Sequence, residues 1–137
     1  MIVMTRTFDQ GEDASTGAAL PGVPISDLVQ AGERVRVIFL TENDDFRSNL
    51  GLISGVEASI RVRWELFDSS GISLRLGSRD LDPYGITQIN RVLRSFSPIK
   101  AGYAEVWTDT SGGAFTTYGS IIDNGSSDPT LMIPRCA

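Results

Sequence analysis

Residues 59–67 change character with a period of two: Ile60, Val62, Trp64 and Leu66 hold one set of positions, Arg61, Arg63 and Glu65 the other. A helix would scatter both sets around its axis, whereas a strand puts one on each face, so burying the apolar set leaves three charges in water. The same period returns over 33–40, where Arg34 and Arg36 alternate with Val35, Val37 and Phe39, and over 72–76 beyond the turn Asp68-Ser69-Ser70-Gly71. The last pairing predicts a β-hairpin. Further strands are expected over 2–8, 48–53, 86–89, 102–108, 114–122 and 130–133, each bounded by Gly, Pro, Asn, Asp or Ser. The five residues 109–113 are long enough to close a bulged hairpin between two of them.

Helical pattern is confined to short pieces. Residues 25–29 predict one turn capped by Ser26, with Leu28 and Val29 against the body, and 90–94 a second turn capped by Asn90. Residues 9–32 are rich in breakers and read as a long irregular connection. The chain of 137 residues, 41% hydrophobic and 21% charged, is the size of a single domain spanning 1–137. The expected fold class is all-β: an antiparallel β-sandwich of about seven to nine short strands with one or two short helical turns.

Composition excludes much chemistry. With no histidine, the chain has no Ser-His or Cys-His nucleophile pair and no His-ligated metal site. A formal net charge of −5 argues against a nucleic-acid partner. No stretch reaches the ~20 apolar residues of a membrane-spanning helix, so membrane insertion is not expected. The opening residues lack the pattern of a secretory signal; a piece of a longer exported protein is the expectation. The lone Cys136 either pairs outside this chain or stays a free thiol.

Two groups of residues are candidates for binding. The acidic loops at 41–45 and 123–128 offer Glu42, Asp44, Asp45, Asp123 and Asp128 as oxygen ligands for calcium, the one cofactor these residues suit; solvated loops that keep sheet edges soluble are the alternative. Asn124-Gly125-Ser126 also forms a glycosylation triplet. On the aromatic side, Tyr103 and Trp107 share a strand face, a platform for a sugar ring or a protein partner, unless a neighbouring loop packs over them. Tyr118 joins them only if the 109–113 connection is a hairpin of the right register. Arg34, Arg36, Arg61 and Arg63 form a cationic ladder if their strands are neighbours, or pair across strands with Glu33, Glu65 and Asp80. Most Asp residues lie in turns, so a hydrolase built on loop carboxylates would require two of them to converge in a cleft.

The ordered pieces Phe46-Arg47-Ser48-Asn49-Leu50-Gly51-Leu52, Trp64-Glu65-Leu66-Phe67-Asp68, Leu81-Asp82-Pro83-Tyr84-Gly85 with Gln88-Ile89-Asn90, Gly102-Tyr103-Ala104, and Tyr118-Gly119-Ser120-Ile121-Ile122-Asp123-Asn124 with Ser127-Asp128-Pro129 resemble a β-sandwich module of bacterial exported proteins. The resemblance covers residues 33–134. It implies an extracellular or cell-surface accessory domain, non-catalytic, that attaches, spaces or binds, with a glycan or protein partner. A structural self-assembly domain pairing through strand edges is the second expectation. A more distant likeness in size and layout is to the soluble transducer of bacterial sensory rhodopsins, an oligomeric sandwich. In the matched pieces Asn49 and Asn90 suit ties between loop backbone and sheet, and Gly51, Gly85 and Gly119 mark bulges or close approaches.

Overall fold

The computed structural model describes the backbone of residues 4–10 and 15–137 and the side chains from residue 17 onward. The alternation at 59–67 becomes a strand whose apolar set is buried and whose Arg61 and Arg63 are exposed. In chain order the strands are β1 Met4–Gln10, β2 Ser15–Pro21, β3 Val29–Gln30, β4 Arg34–Glu42, β5 Phe46–Ser54, β6 Ile60–Phe67, β7 Ser73–Leu81, β8 Ile86–Ile89, β9 Ile99–Thr108, β10 Ala114–Asp123, β11 Pro129–Met132 and β12 Arg135–Cys136. The only helical pieces among the described residues are single 3-10 turns at Ile25–Asp27 and Arg94–Phe96.

Two five-stranded antiparallel sheets form the sandwich. One runs β12-β4-β9-β6-β7; the other runs β11-β10-β5-β8, with β3 also on β10. The inner faces meet in a core that includes Val37, Leu40, Leu50, Leu52, Val62, Leu66, Val106 and Phe115, all closed to solvent. The sheets approach closely at Gly119, where an added Cβ would lie 2.6 Å from Val37 Cγ1 and 3.0 Å from Leu40 Cδ2. A Gly119→Ala variant is expected to lose about 1–3 kcal/mol through overpacking, read as a lower urea midpoint with an unchanged m-value.

Several expectations need correction. There are twelve strands among the described residues, more than the seven to nine expected. Part of the excess is in two-residue strands, β3 and β12; part is β2, which lies inside the segment 9–32 read as irregular. β2 pairs with β1 from Met4↔Pro21 to Gln10↔Ser15 and also lies beside β11. The opening strand thus runs two residues beyond Phe8; residues 2 and 3 lie outside the described set.

The largest correction concerns 109–113. β9 and β10 belong to different sheets, so this connection crosses the sandwich. The backbone N–H groups of Ala31 and Gly32 donate to Gly113 O and Thr108 O, pinning both ends of the crossing to the segment after β3. Ser26 and Asn90 are not caps: neither 3-10 turn has a side-chain cap, Ser26 Oγ donates to Asp27, and Asn90 Oδ1 accepts from Gln88. Leu28 packs over Gly55, and Val29 is buried, as expected. In β4 the alternation breaks where the register shifts between Val37 and Leu40. Phe39 takes a left-handed φ of 61° and turns to solvent, and Leu40 fills the inward place. A similar shift between Leu66 and Phe67 leaves Leu76 exposed on the second strand of the predicted hairpin.

Candidate functional site

The outer face of the β12-β4-β9-β6-β7 sheet carries the aromatic and arginine candidates. β9 runs between β4 and β6, so their side chains form rows: Arg34, Trp107 and Arg63 in one, Arg36, Glu105 and Glu65 in the next, Tyr103 and Phe67 in a third. Arg34 and Arg36 therefore do not meet Arg61 and Arg63 as a continuous ladder; β9 separates them.

Each ring on this face is already covered. The Arg34 guanidinium lies 3.9 Å from the centroid of Trp107, which is only 8% exposed despite its outward direction. Tyr103 stacks on Phe67 at 4.8 Å with the planes 12° apart, and the Arg36 guanidinium stands 4.7 Å from the Tyr103 centroid. Glu105 fastens both arginines: Arg36 Nη2 donates to one oxygen at 2.6 Å and Arg34 Nη1 to the other at 3.5 Å. The bond to Glu105 raises the Arg36 pKa further above its ordinary value, partly offset by desolvation. The expected open platform of Tyr103 and Trp107 is thus replaced by ring faces under guanidinium planes. The cover comes from a strand, where a loop had been the alternative.

The ion pairs also differ from expectation in part. Arg61 pairs with Asp80 through Nε at 2.7 Å and Nη2 at 3.0 Å, which raises the arginine pKa and lowers the aspartate's. Arg63 lies 3.5 Å from Asp109. Glu65 instead accepts from Ser73 Oγ, and Glu33 accepts from the Gln30 backbone N–H. Arg34→Ala is expected to uncover Trp107, shifting its emission to longer wavelength at a stability cost of about 0.5–1 kcal/mol; an unchanged spectrum would show that the guanidinium is not the cover.

Tyr118 is on the outer face of the opposite sheet and does not join the other two aromatics. Its ring lies across Gly51 on β5, where a Cβ would come within 1.9 Å, and its hydroxyl donates to Gln88 Oε1 on β8 at 2.9 Å. Burial raises its pKa. Asn49, beside it on β5, accepts from the Arg91 backbone N–H, the loop-to-sheet tie expected of it.

The two acidic loops come together at one end of the sandwich. Asp44, Asp45, Phe46, Asp123, Asn124 and Gly125 line an open cleft of about 490 Å³. Several groups at and beside it bond to the chain itself. Asn43 Oδ1 accepts the Asp45 and Phe46 N–H groups, and Asp123 Oδ1 accepts those of Gly125 and Ser126 at 2.7 and 3.0 Å. Asn124 bridges the loops: Nδ2 donates to Asp44 O, and Oδ1 accepts from Arg47 at 2.7 Å. That engages the amide a glycan would occupy.

Two of the five calcium candidates lie outside the cleft. Asp128 closes the turn, its carbonyl accepting the Asp123 N–H. Glu42, expected in a solvated loop, is the last residue of β4, wholly buried, and bonded to Arg91 Nε at 2.8 Å and Nη2. Among the described residues no group of three or more Cys, Asp or Glu side chains is arranged to hold a metal ion. Backbone N–H donors hold the Asp123 carboxyl below its ordinary range, the reverse of what a general acid needs. Its stabilising contribution is complete above the unfolded-state pKa and lost as pH falls through the lower folded-state value. The destabilisation of Asp123→Ala is therefore expected in thermal melts at neutral pH and should vanish in strong acid.

Cys136 is exposed on β12 opposite Val35. Among the described residues no helix is long and apolar enough to cross a membrane. Comparison with protein-family models, curated proteins and solved structures finds no match. Sequence reasoning missed Phe67 as the stacking partner of Tyr103, Arg91 as the partner of Glu42, Asn43 as the closure of its own loop and Asn124 as the tie between loops. The apolar-to-polar break at Phe67-Asp68 marked a turn, and only the strand order reveals the stack.

Proposed function

We propose that this chain is a non-catalytic β-sandwich module of a bacterial exported or surface protein, serving attachment or binding through the outer face of the β12-β4-β9-β6-β7 sheet. The observation that carries the reading is the pair Arg34 and Arg36, whose side chains are 46% and 39% exposed while fixed on rings and on Glu105; the Arg36 Nε is buried, so that residue faces outward through its terminal nitrogens. Arginines held this way lose little freedom on binding, and the N–H groups not given to Glu105 suit carboxylates or sulfates. Covered ring faces disfavour stacking of a neutral sugar, so the partner is an acidic glycan or a protein surface bearing carboxylates. The resemblance over 33–134 supports the exported setting.

The test is a tryptophan-fluorescence titration with heparin, polygalacturonate and neutral glucans. The reading expects emission changes with the acidic polymers alone, and at least a tenfold weakening in Arg34→Ala with Arg36→Ala. Silence across the panel would remove the glycan partner, and binding of neutral glucans unaffected by the double variant would overturn the assigned face.

A further inference from the structure

Five strands end the two sheets among the described residues, and four are blunt: β8 and β11 have four residues each, β3 and β12 two. The fifth, β7, has nine and no strand partner on its outer side among the described residues. Long edges are normally guarded by charges. Here those charges are turned onto the chain itself: Arg75 lies 4.9 Å from the Phe96 centroid, Arg79 5.6 Å from Trp64, and Asp80 is held by Arg61. Leu76 beside them is 66% exposed.

We infer that this edge pairs with the same edge of a second copy, antiparallel about a two-fold axis at Ser78. Equivalent strands related by such an axis keep the same residues on the same face, so a register must be centred on a residue. β7 is regular from Arg75 to Leu81, because its pairing with β6 shifts between Leu66 and Phe67. Centring on Gly77 sets Arg75 directly against Arg79, and centring on Arg79 sets that residue against itself; both oppose like charges. Centring on Leu76 uses only three residues of the regular stretch. Centring on Ser78 uses all of it, placing Arg75 opposite Leu81, Leu76 opposite Asp80, Gly77 opposite Arg79 and Ser78 opposite Ser78. No like charges meet directly, and the incoming Arg79 faces Gly77, over which the Trp64 ring lies. The two-fold closes the assembly at a dimer.

Sedimentation of the whole chain across a concentration series tests this together with oxidative cross-linking in a Cys136→Ser background. A monomer–dimer equilibrium is expected, with Ser78→Lys raising the dissociation constant at least tenfold by setting two ammonium groups on the axis. Ser78→Cys should cross-link, since directly opposed Cα atoms lie within disulfide range; Leu76→Cys should not, since its counterpart is about four residues along the strand. A monomer at every concentration, growth beyond the dimer, or cross-linking at position 76 in place of 78 would each overturn the proposal. The Arg34→Ala and Arg36→Ala changes leave this edge untouched, so the dimer and the binding face fail separately.

Discussion

Arg91→Ala is expected to lower the stability of the fold by about 3 kcal/mol, measured by urea unfolding. Glu42 is completely closed to solvent, and Arg91 supplies two donors to one of its oxygens. The other oxygen has the Ser48 N–H at 3.5 Å, a poor substitute. Breaking a buried pair from one side leaves an uncompensated charge, which costs about 3–5 kcal/mol. The lower end applies because the Arg91 side chain is 41% exposed, so water can enter where its head was. Glu42→Gln removes the charge together with the pair and should cost less, about 1–2 kcal/mol. Arg91 also has a left-handed φ of 49°. Arg91→Gly relieves that backbone while losing the same ion pair, so Gly outperforming Ala would isolate the strain from the charge. Equal stability of wild type and Arg91→Ala would mean that the pair holds nothing together.

Phe115→Ala is expected to cost about 3–5 kcal/mol, a large part of the 5–15 kcal/mol typical of a whole domain. Phe115 is the largest of the fully buried side chains among the described residues and lies on β10 opposite both Val29 on β3 and Ser54 on β5. It packs where the 109–113 crossing delivers the chain into the second sheet. Removing the ring therefore opens a cavity between elements that cannot close independently. Phe115→Leu keeps most of the volume and should cost under about 1.5 kcal/mol. If Ala and Leu were equally tolerated, the space between the sheets would not be packed as described.

The strand pattern was legible because alternation is local: Ile60, Val62, Trp64 and Leu66 each report their own face, and the Asp68–Gly71 turn joins β6 to its direct neighbour. Sheet membership was not. Residues 109–113 have a length that serves a hairpin or a crossing equally well, and that ambiguity left the face of Tyr118 open. Cover over a ring is a long-range property as well: Trp107 alternates as an exposed residue and is shielded by an arginine 73 positions earlier in the chain, Arg34. Glu42 was lost for a different reason. It precedes Asn43, Asp44 and Asp45 and so reads as part of their loop, but the register shifts in β4 between Val37 and Leu40 and again before Glu42 end with its side chain inside. The two acidic loops were each visible in sequence, whereas their convergence depends on β5 lying against β10.

Backbone amide shift mapping with an acidic polysaccharide tests the central claim, that the guanidinium-covered sheet face is the contact surface. The account predicts perturbations centred on Arg34, Arg36, Glu105 and Arg63, lost when Arg34 and Arg36 are both alanine. Perturbations centred on the Asp44 and Asp123 cleft, or around Tyr118 on the opposite sheet, would contradict it.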